Sequence, residues 1–99
     1  MQEDAEALRA RLAAETARAA WSELERHFAR GRLVTVAPGE DLVEIAARFA
    51  EDDRDSVAEW LNSGTLVRTT DSQAGHWAET DALVWTVVVP PWILVQAAA

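Results

Sequence analysis

The clearest hydrophobic pattern in this chain lies near its C-terminus, where Thr86 is the only polar residue of the segment 82–95. If the segment is a strand, successive side chains point to opposite faces. One face then carries Leu83, Trp85, Val87 and Val89, and the other carries Val84, Thr86 and Val88. Because a small domain usually covers one sheet face with its own helices, we expect a partner on the second face, namely another copy of this chain.

The first third of the chain predicts a single long helix over residues 3–30, because it is rich in Ala, Leu, Glu and Arg and lacks Gly and Pro. An apolar stripe at helical spacing consists of Ala13, Thr16, Ala17, Ala20, Trp21, Leu24 and Phe28. Leu8 and Leu12 lie off this stripe, so residues 1–12 either fray or contact a different surface, such as a neighbouring chain. Gly31 then ends the helix as a C-terminal cap.

Two further helices are expected in the middle of the chain, after a short strand over residues 32–37. Asp41 followed by Glu44 matches a capping box at a helix start. The apolar stripe behind this cap comprises Leu42, Ile45, Ala46, Phe49 and Ala50. The next helix is expected to begin near Asp53 and to end at residues 62–64. Its buried side chains are Val57, Trp60 and Leu61.

Two strands and one more helix complete the expected order. Residues 65–69 form a short strand, and a capping box at Thr70 begins a fourth helix. The apolar run is the last strand, kinked or split at Pro90-Pro91 because proline interrupts sheet hydrogen bonding. The order α-β-α-α-β-α-β predicts one α+β domain over residues 1–99, with a small mixed or antiparallel sheet.

The sequence contains no Cys, Lys or Tyr, and this limits the chemistry that the protein can perform. Without Cys there is no thiolate nucleophile, disulfide or cysteine zinc site. Without Lys there is no Schiff-base chemistry and no Walker-type phosphate loop. The two histidines, His27 and His76, belong to no recognisable catalytic constellation. The sequence therefore favours a non-enzymatic protein without a cofactor.

The chain is acidic, with a formal net charge of -8. Residues 1–32 carry six Arg against six acids, whereas residues 33–99 carry three Arg against eleven acids, so the excess lies in the second segment. An acidic surface repels phosphates, which argues against nucleic acid and anionic membranes as partners. The apolar run is shorter than the roughly 20 residues of a membrane-spanning helix, and the acidic N-terminus is unlike a signal peptide. We expect a cytoplasmic protein.

The five tryptophans suggest either core packing or an aromatic binding site. Trp21, Trp60 and Trp77 occupy inward positions of helical stripes, which favours packing. Trp85 lies in a strand with two apolar faces and is expected to join the core as well. Trp92 follows the two prolines and fits no such pattern, which favours an interface role. The candidate interface residues are Leu83, Trp85, Val87, Val89 and Trp92.

A small-ligand site is the alternative to a protein interface. Glu23 and His27 are four residues apart on the expected helix and can pair, next to Trp21. These three residues are the candidate ligand contacts. The same spacing also fits a partly buried histidine whose hydrogen bonds are satisfied within the fold.

Asp52, Asp53 and Asp55 are weaker candidates for a divalent-metal site, since carboxylate oxygens are the ligands of such ions. Their segment lacks the spacing of an EF-hand loop. Carboxylates at a helix start also complement the helix dipole, which explains them without a metal.

Four segments of the sequence together resemble one known family. They are Glu15-Thr-Ala-x-x-x-Trp21-x-Glu-Leu24, Phe28-Ala-x-Gly31, Asp41-Leu-Val-Glu-Ile-Ala46 and Trp85-x-Val-Val-Val-x-Pro-Trp92-x-Leu-Val-Gln96. On these segments the chain resembles a family of small bacterial proteins, domain of unknown function 2288, over nearly its whole length. The resemblance implies a compact bacterial single-domain protein. It carries no established activity and assigns no catalytic residue.

These observations favour a non-enzymatic interaction or accessory protein that acts as a homodimer. The expected dimer contacts are the C-terminal strand region and the first helix, and a further protein is an additional candidate partner. The alternative is a small-molecule or divalent-metal binding domain with a tryptophan-lined pocket. A hydrolase that uses His27 with a carboxylate is a third and weaker hypothesis.

Overall fold

The computed structural model describes residues 3–98. This part of the chain contains five helices and five strands, joined by short loops. The helices are α1 (Ala5–Glu15), α2 (Trp21–Ala29), α3 (Leu42–Ala50), α4 (Arg54–Ser63) and α5 (Asp71–Thr80). The strands are β1 (Ala17–Ala20), β2 (Leu33–Val36), β3 (Leu66–Arg68), β4 (Leu83–Val89) and β5 (Trp92–Ala97). They form one sheet in the order β1-β4-β5-β2-β3, in which β2 and β5 are parallel and the other neighbours antiparallel. The expected α+β class with a mixed sheet is confirmed.

The single long N-terminal helix is wrong, because the chain forms α1, the edge strand β1 and then α2. α1 ends at Thr16, whose hydroxyl donates to the carbonyl of Leu12 at 2.7 Å. The alanine-rich β1 then pairs with β4, since tertiary pairing outweighs the helix propensity of alanine. The backbone N–H of Ala20 donates to Glu23 at 3.0 Å, which caps the start of α2. Leu8 and Leu12 pack in the core of the same chain.

The helices cover both faces of the sheet. On one face, which we call the α1 side, helices α1, α3 and α4 enclose a core that includes Leu12, Ile45 and Leu94. On the opposite face, the α2 side, helices α2 and α5 enclose a second core that includes Trp21, Trp77 and Val84. The chain therefore buries much of both faces by itself. This removes the argument that two apolar faces of β4 require a second copy.

Side-chain caps begin the three later helices where the sequence predicts them. Asp41, Asp53 and Thr70 accept hydrogen bonds from the backbone N–H three residues later, at 3.0, 3.2 and 3.1 Å. The box at Thr70 is complete. The carboxylate of Glu44 does not close the expected box at Asp41, because it accepts two hydrogen bonds from Arg9 instead, at 2.6 and 2.9 Å. This ion pair ties α1 to α3.

The apolar C-terminal run is divided at Pro90-Pro91, as expected, and β4 and β5 form an antiparallel hairpin around that turn. The side chains that follow the turn alternate between the two sides of the sheet. Trp92 packs on the α1 side and Ile93 on the α2 side. Among residues 3–98 no helix is long and apolar enough to cross a membrane.

Candidate functional site

Two cavities flank the β4–β5 turn, and the larger one lies on the α1 side with a volume of about 360 Å³. Its wall is formed mainly by Phe49, Val57, Ala58, Leu61, Val89, Pro90, Pro91 and Trp92. We call it the Trp92 cavity. Leu61, which the sequence places in the core, is 48% exposed at this wall. The guanidinium of Arg68 lies 5.5 Å from the centre of the Trp92 ring.

Charged side chains at the rim of the Trp92 cavity are paired with one another. Arg48 lies 3.3 Å from Asp53, and Arg54 lies 3.4 Å from Asp52. Asp53 also accepts hydrogen bonds from the hydroxyl and the backbone N–H of Ser56, at 2.8 and 3.2 Å. These two hydrogen bonds, and then the charge of Arg48, lower the pKa of Asp53. Asp53 is therefore ionised at neutral pH, and the paired charges of the rim largely cancel.

The acids of residues 51–55 are used within the fold rather than gathered around a metal position. Asp53 caps α4, Asp52 pairs with Arg54, and Asp55 lies in the first turn of α4, where its charge complements the helix dipole. Among residues 3–98, no group of three or more His, Cys, Asp or Glu side chains is arranged to hold a metal ion.

The second cavity lies on the α2 side of the same turn and measures about 240 Å³. Its apolar wall consists of Val88, Pro90, Pro91 and Ile93. His27 and Arg32 supply its polar lining, and we call it the His27 cavity. Val88 is 51% exposed here, whereas Val87 and Val89, its neighbours along β4, are at most 5% exposed.

His27 lies in the last turn of α2, among positive charges. Its Nδ1 atom is buried and has no hydrogen-bond partner among the described residues. Burial, and then the charges of Arg26, Arg30 and Arg32, lower the pKa of His27 below the ordinary value of 6.5. The imidazole is therefore neutral at physiological pH.

The predicted ligand contacts Trp21, Glu23 and His27 do not form one site. Trp21 is 2% exposed, and its ring lies 5.7 Å from those of both Phe28 and Trp77, so it belongs to the core. Glu23 is engaged at the start of α2 rather than with His27. Of the three, only His27 borders one of the two cavities.

The predicted interface residues of β4 divide between core and surface. Val87 and Val89 are at most 5% exposed in the core of the α1 side, so they contact the chain's own helices rather than a partner. Leu83 and Trp85 are 53% and 39% exposed on the same side, where α1 no longer covers the strand. The sequence places Trp85 in the core. In the structure the guanidinium of Arg18 instead lies 5.5 Å from the centre of the Trp85 ring.

Sequence reasoning missed both cavities, because each forms where distant segments of the chain meet. The loop that holds Asp52 and Asp53 meets the turn that holds Pro90 and Pro91, which lies almost forty residues later in the sequence. One signal was visible, since Trp92 alone among the tryptophans fitted no core pattern. The close succession of arginines in residues 26–32 was a second signal, next to the His27 cavity.

Comparison with known proteins gives a family and one close structural relative. The family described as Protein of unknown function (DUF2288) matches residues 7–97. The NMR solution structure of PA1075 from Pseudomonas aeruginosa is 43% identical in sequence, with a TM-score of 0.82, over 100% of this chain and 92% of that chain. No curated protein sequence matches. The protein therefore belongs to the DUF2288 family.

Proposed function

We propose that this protein is a non-catalytic, cytoplasmic accessory protein that acts by binding, and that the Trp92 cavity is its principal ligand site. The observation that carries the proposal is the combination of a volume of about 360 Å³ with a mainly apolar wall. Small-molecule sites typically measure roughly 300–1,000 Å³ and are lined mostly by apolar and aromatic groups. The tryptophan at this site is Trp92 rather than the Trp21 favoured by the sequence.

The lining supports a neutral, largely apolar ligand with an aromatic or branched aliphatic body. Phe49, Leu61 and Trp92 offer apolar surface, and a ligand that covers the half-exposed Leu61 would remove it from water. The rim charges of Arg48 and Asp53 already neutralise each other, so they attract neither anions nor cations strongly.

The carboxylates at the rim of the Trp92 cavity are already paired within the fold, which supports binding rather than catalysis. A general acid near neutral pH needs a carboxyl group with a raised pKa. Asp53 has a lowered pKa, because it accepts hydrogen bonds from Ser56 and lies beside Arg48. Asp52 is paired with Arg54 at the protein surface.

Thermal unfolding in the presence of indole, a neutral aromatic probe, tests the proposal. Indole at about ten times its Kd should raise Tm by several degrees, because a ligand that binds only the folded state stabilises it. Leu61→Glu should abolish this rise, since it places a charge in the apolar wall. The matched control is Val67→Glu, at another exposed apolar side chain outside the cavity, and it should keep the rise. An equal rise in both variants, or none in the unmodified chain at saturating indole, contradicts the proposal.

Self-association is a second candidate function, and the exposure of Leu83 and Trp85 favours it. A standard interface buries about 800 Å² on each partner, more than two side chains can supply. A homodimer would therefore extend from these residues onto the outer face of α1, as a symmetric contact between identical patches.

Sedimentation equilibrium over a range of protein concentrations tests the homodimer. The unmodified chain should show twice the monomer mass, and Leu83→Glu should restore the monomer. A monomer mass for the unmodified chain at about 100 μM rules out a dimer of biological strength.

A further inference from the structure

We propose that the His27 cavity binds a small organic anion, with the anionic head among the arginines at the end of α2 and the apolar body against Val88 and Ile93. This site is separate from the Trp92 cavity and goes beyond the proposed function. Its ligand class is an aryl or short alkyl group that carries one carboxylate or phosphate. The two cavities share only the prolines of the turn.

The arginines of this acidic chain, whose net charge is -8, differ in their partners. Within residues 3–98, four of them lie within 4 Å of a carboxylate: Arg9, Arg11, Arg48 and Arg54. Among residues 3–98, no carboxylate lies that close to the other five arginines. Two of these, Arg18 and Arg68, lie over the rings of Trp85 and Trp92, and the remaining three are Arg26, Arg30 and Arg32. Three like charges therefore gather without an internal counterion, although the sequence supplies 17 acids. An external anion would relieve their repulsion.

One of these three arginines lies in the wall of a cavity, and the other two lie near it. Arg32 lines the cavity together with His27. The charges of Arg26 and Arg30 are close enough to act on the same imidazole. The loop between α2 and β2 is held in place by Arg68, whose Nη2 donates to the carbonyl of Gly31 at 2.7 Å. This contact fixes the backbone of the loop from which the side chain of Arg32 reaches the cavity.

The rest of the cavity wall is apolar. Val88 is half exposed and Ile93 is buried beside it. The hydrocarbon body of a ligand can therefore cover the exposed part of Val88. Inorganic phosphate would leave this surface in water, and a neutral hydrocarbon would leave the arginines unpaired. A molecule with both parts satisfies the whole site. A long polyanion such as nucleic acid is disfavoured, because the rest of the acidic surface would repel it.

Titration of the ¹⁵N-labelled full chain with phenyl phosphate tests the proposal by NMR. Phenyl phosphate should shift the amides of residues 27–32 and 88, and should bind about tenfold more tightly than inorganic phosphate or benzyl alcohol. Benzoate shows which anionic head the site accepts. If benzoate binds as tightly as phenyl phosphate, the site takes a carboxylate as readily as a phosphate monoester. Higher salt should weaken the binding of both anions.

Two variants with matched controls locate the site. Arg32→Gln should weaken phenyl phosphate binding about tenfold, whereas Arg11→Gln, the same change of charge on α1, should leave it unchanged. Val88→Glu should abolish binding, whereas Val67→Glu, at an exposed valine on the same sheet face, should not. No shift with phenyl phosphate at about 10 mM, or equal effects of the variants and their controls, overturns the proposal. Retained indole binding by Arg32→Gln and Val88→Glu would show that the Trp92 cavity is unaffected.

Discussion

The two sides of the sheet use their arginines differently. On the α1 side, Arg9 of α1 reaches across to Glu44 of α3, and Arg48 links Glu44 to Asp53 at the start of α4. On the α2 side, Arg26, Arg30 and Arg32 lie near the end of α2, and Arg32 lines the His27 cavity. None of the three has a carboxylate within 4 Å in the part of the chain that the structure describes. Ion pairs of arginines therefore link helices on the α1 side, whereas the three arginines at the end of α2 link no helices and are available for a ligand.

The largest effect should come from the cores, and it should be similar on both sides. Leu12→Ala removes a 1% exposed side chain on the α1 side, and Leu24→Ala removes a 5% exposed one on the α2 side. Each should lower the free energy of unfolding by about 3 kcal/mol, because each leaves a cavity in a packed core. Urea denaturation measures both. A cost below about 1 kcal/mol for Leu24→Ala would mean that the two sides differ in packing as well as in charge.

The next effect separates the two kinds of arginine. Arg9→Gln should lower Tm by about 3 °C, because it removes a two-point ion pair between α1 and α3 that is only partly exposed. Arg32→Gln should leave Tm unchanged or slightly raised, since it relieves repulsion at the end of α2. Differential scanning calorimetry at low salt provides the comparison. Equal losses in both variants would contradict the division of roles.

Acidification should destabilise the two sides in different pH windows. The pKa of His27 is lowered in the folded state, so the unfolded chain binds the proton more readily, and stability falls as pH drops from about 6.5 through the folded-state value. Hydrogen bonds from Arg9 lower the pKa of Glu44, so its contribution is lost only below about pH 4.5.

The urea midpoint measured in steps from about pH 7.5 to about pH 3 resolves these windows. His27→Gln should remove the upper phase and keep the lower one. An unchanged upper phase in this variant would show that a different group titrates there.

The smallest effect should come from the exposed pair of Arg54 and Asp52. Their side chains are 86% and 76% exposed, and such surface pairs contribute little to stability. Arg54→Gln should therefore change Tm by less than about 1 °C. A larger decrease in Tm would mean that the pair of Arg54 and Asp52 contributes more to stability than its exposure indicates.

Local patterns predicted the helices that begin with a side-chain cap. The apolar stripe of α3 and the caps Asp41, Asp53 and Thr70 all depend on residues within one or two turns, which is the range that a sequence pattern can report. The strand β1 could not be predicted in this way. Its alanines favour a helix, and they become extended only because β4 pairs with them from far along the chain.

The same limit explains what was missed at the cavities. The exposure of Val88 depends on which part of the sheet face α2 covers, and no local pattern contains that information. The charge balance of residues 1–32, six Arg against six acids, does not show which arginines lack a partner. Only the close succession of arginines in residues 26–32 indicated a cluster. Trp92 was recognisable only as a residue that fitted no core pattern.

We conclude that two cavities of different chemistry flank the Pro90-Pro91 turn. Amide chemical-shift changes of the full chain, measured by NMR with indole and phenyl phosphate added separately, test this conclusion. Indole should shift the amides of residues 52–61, and phenyl phosphate those of residues 27–32 and 88, as two separate sets. If both probes shift the same set, or if the largest changes fall around Leu83 and Trp85, the claim is contradicted.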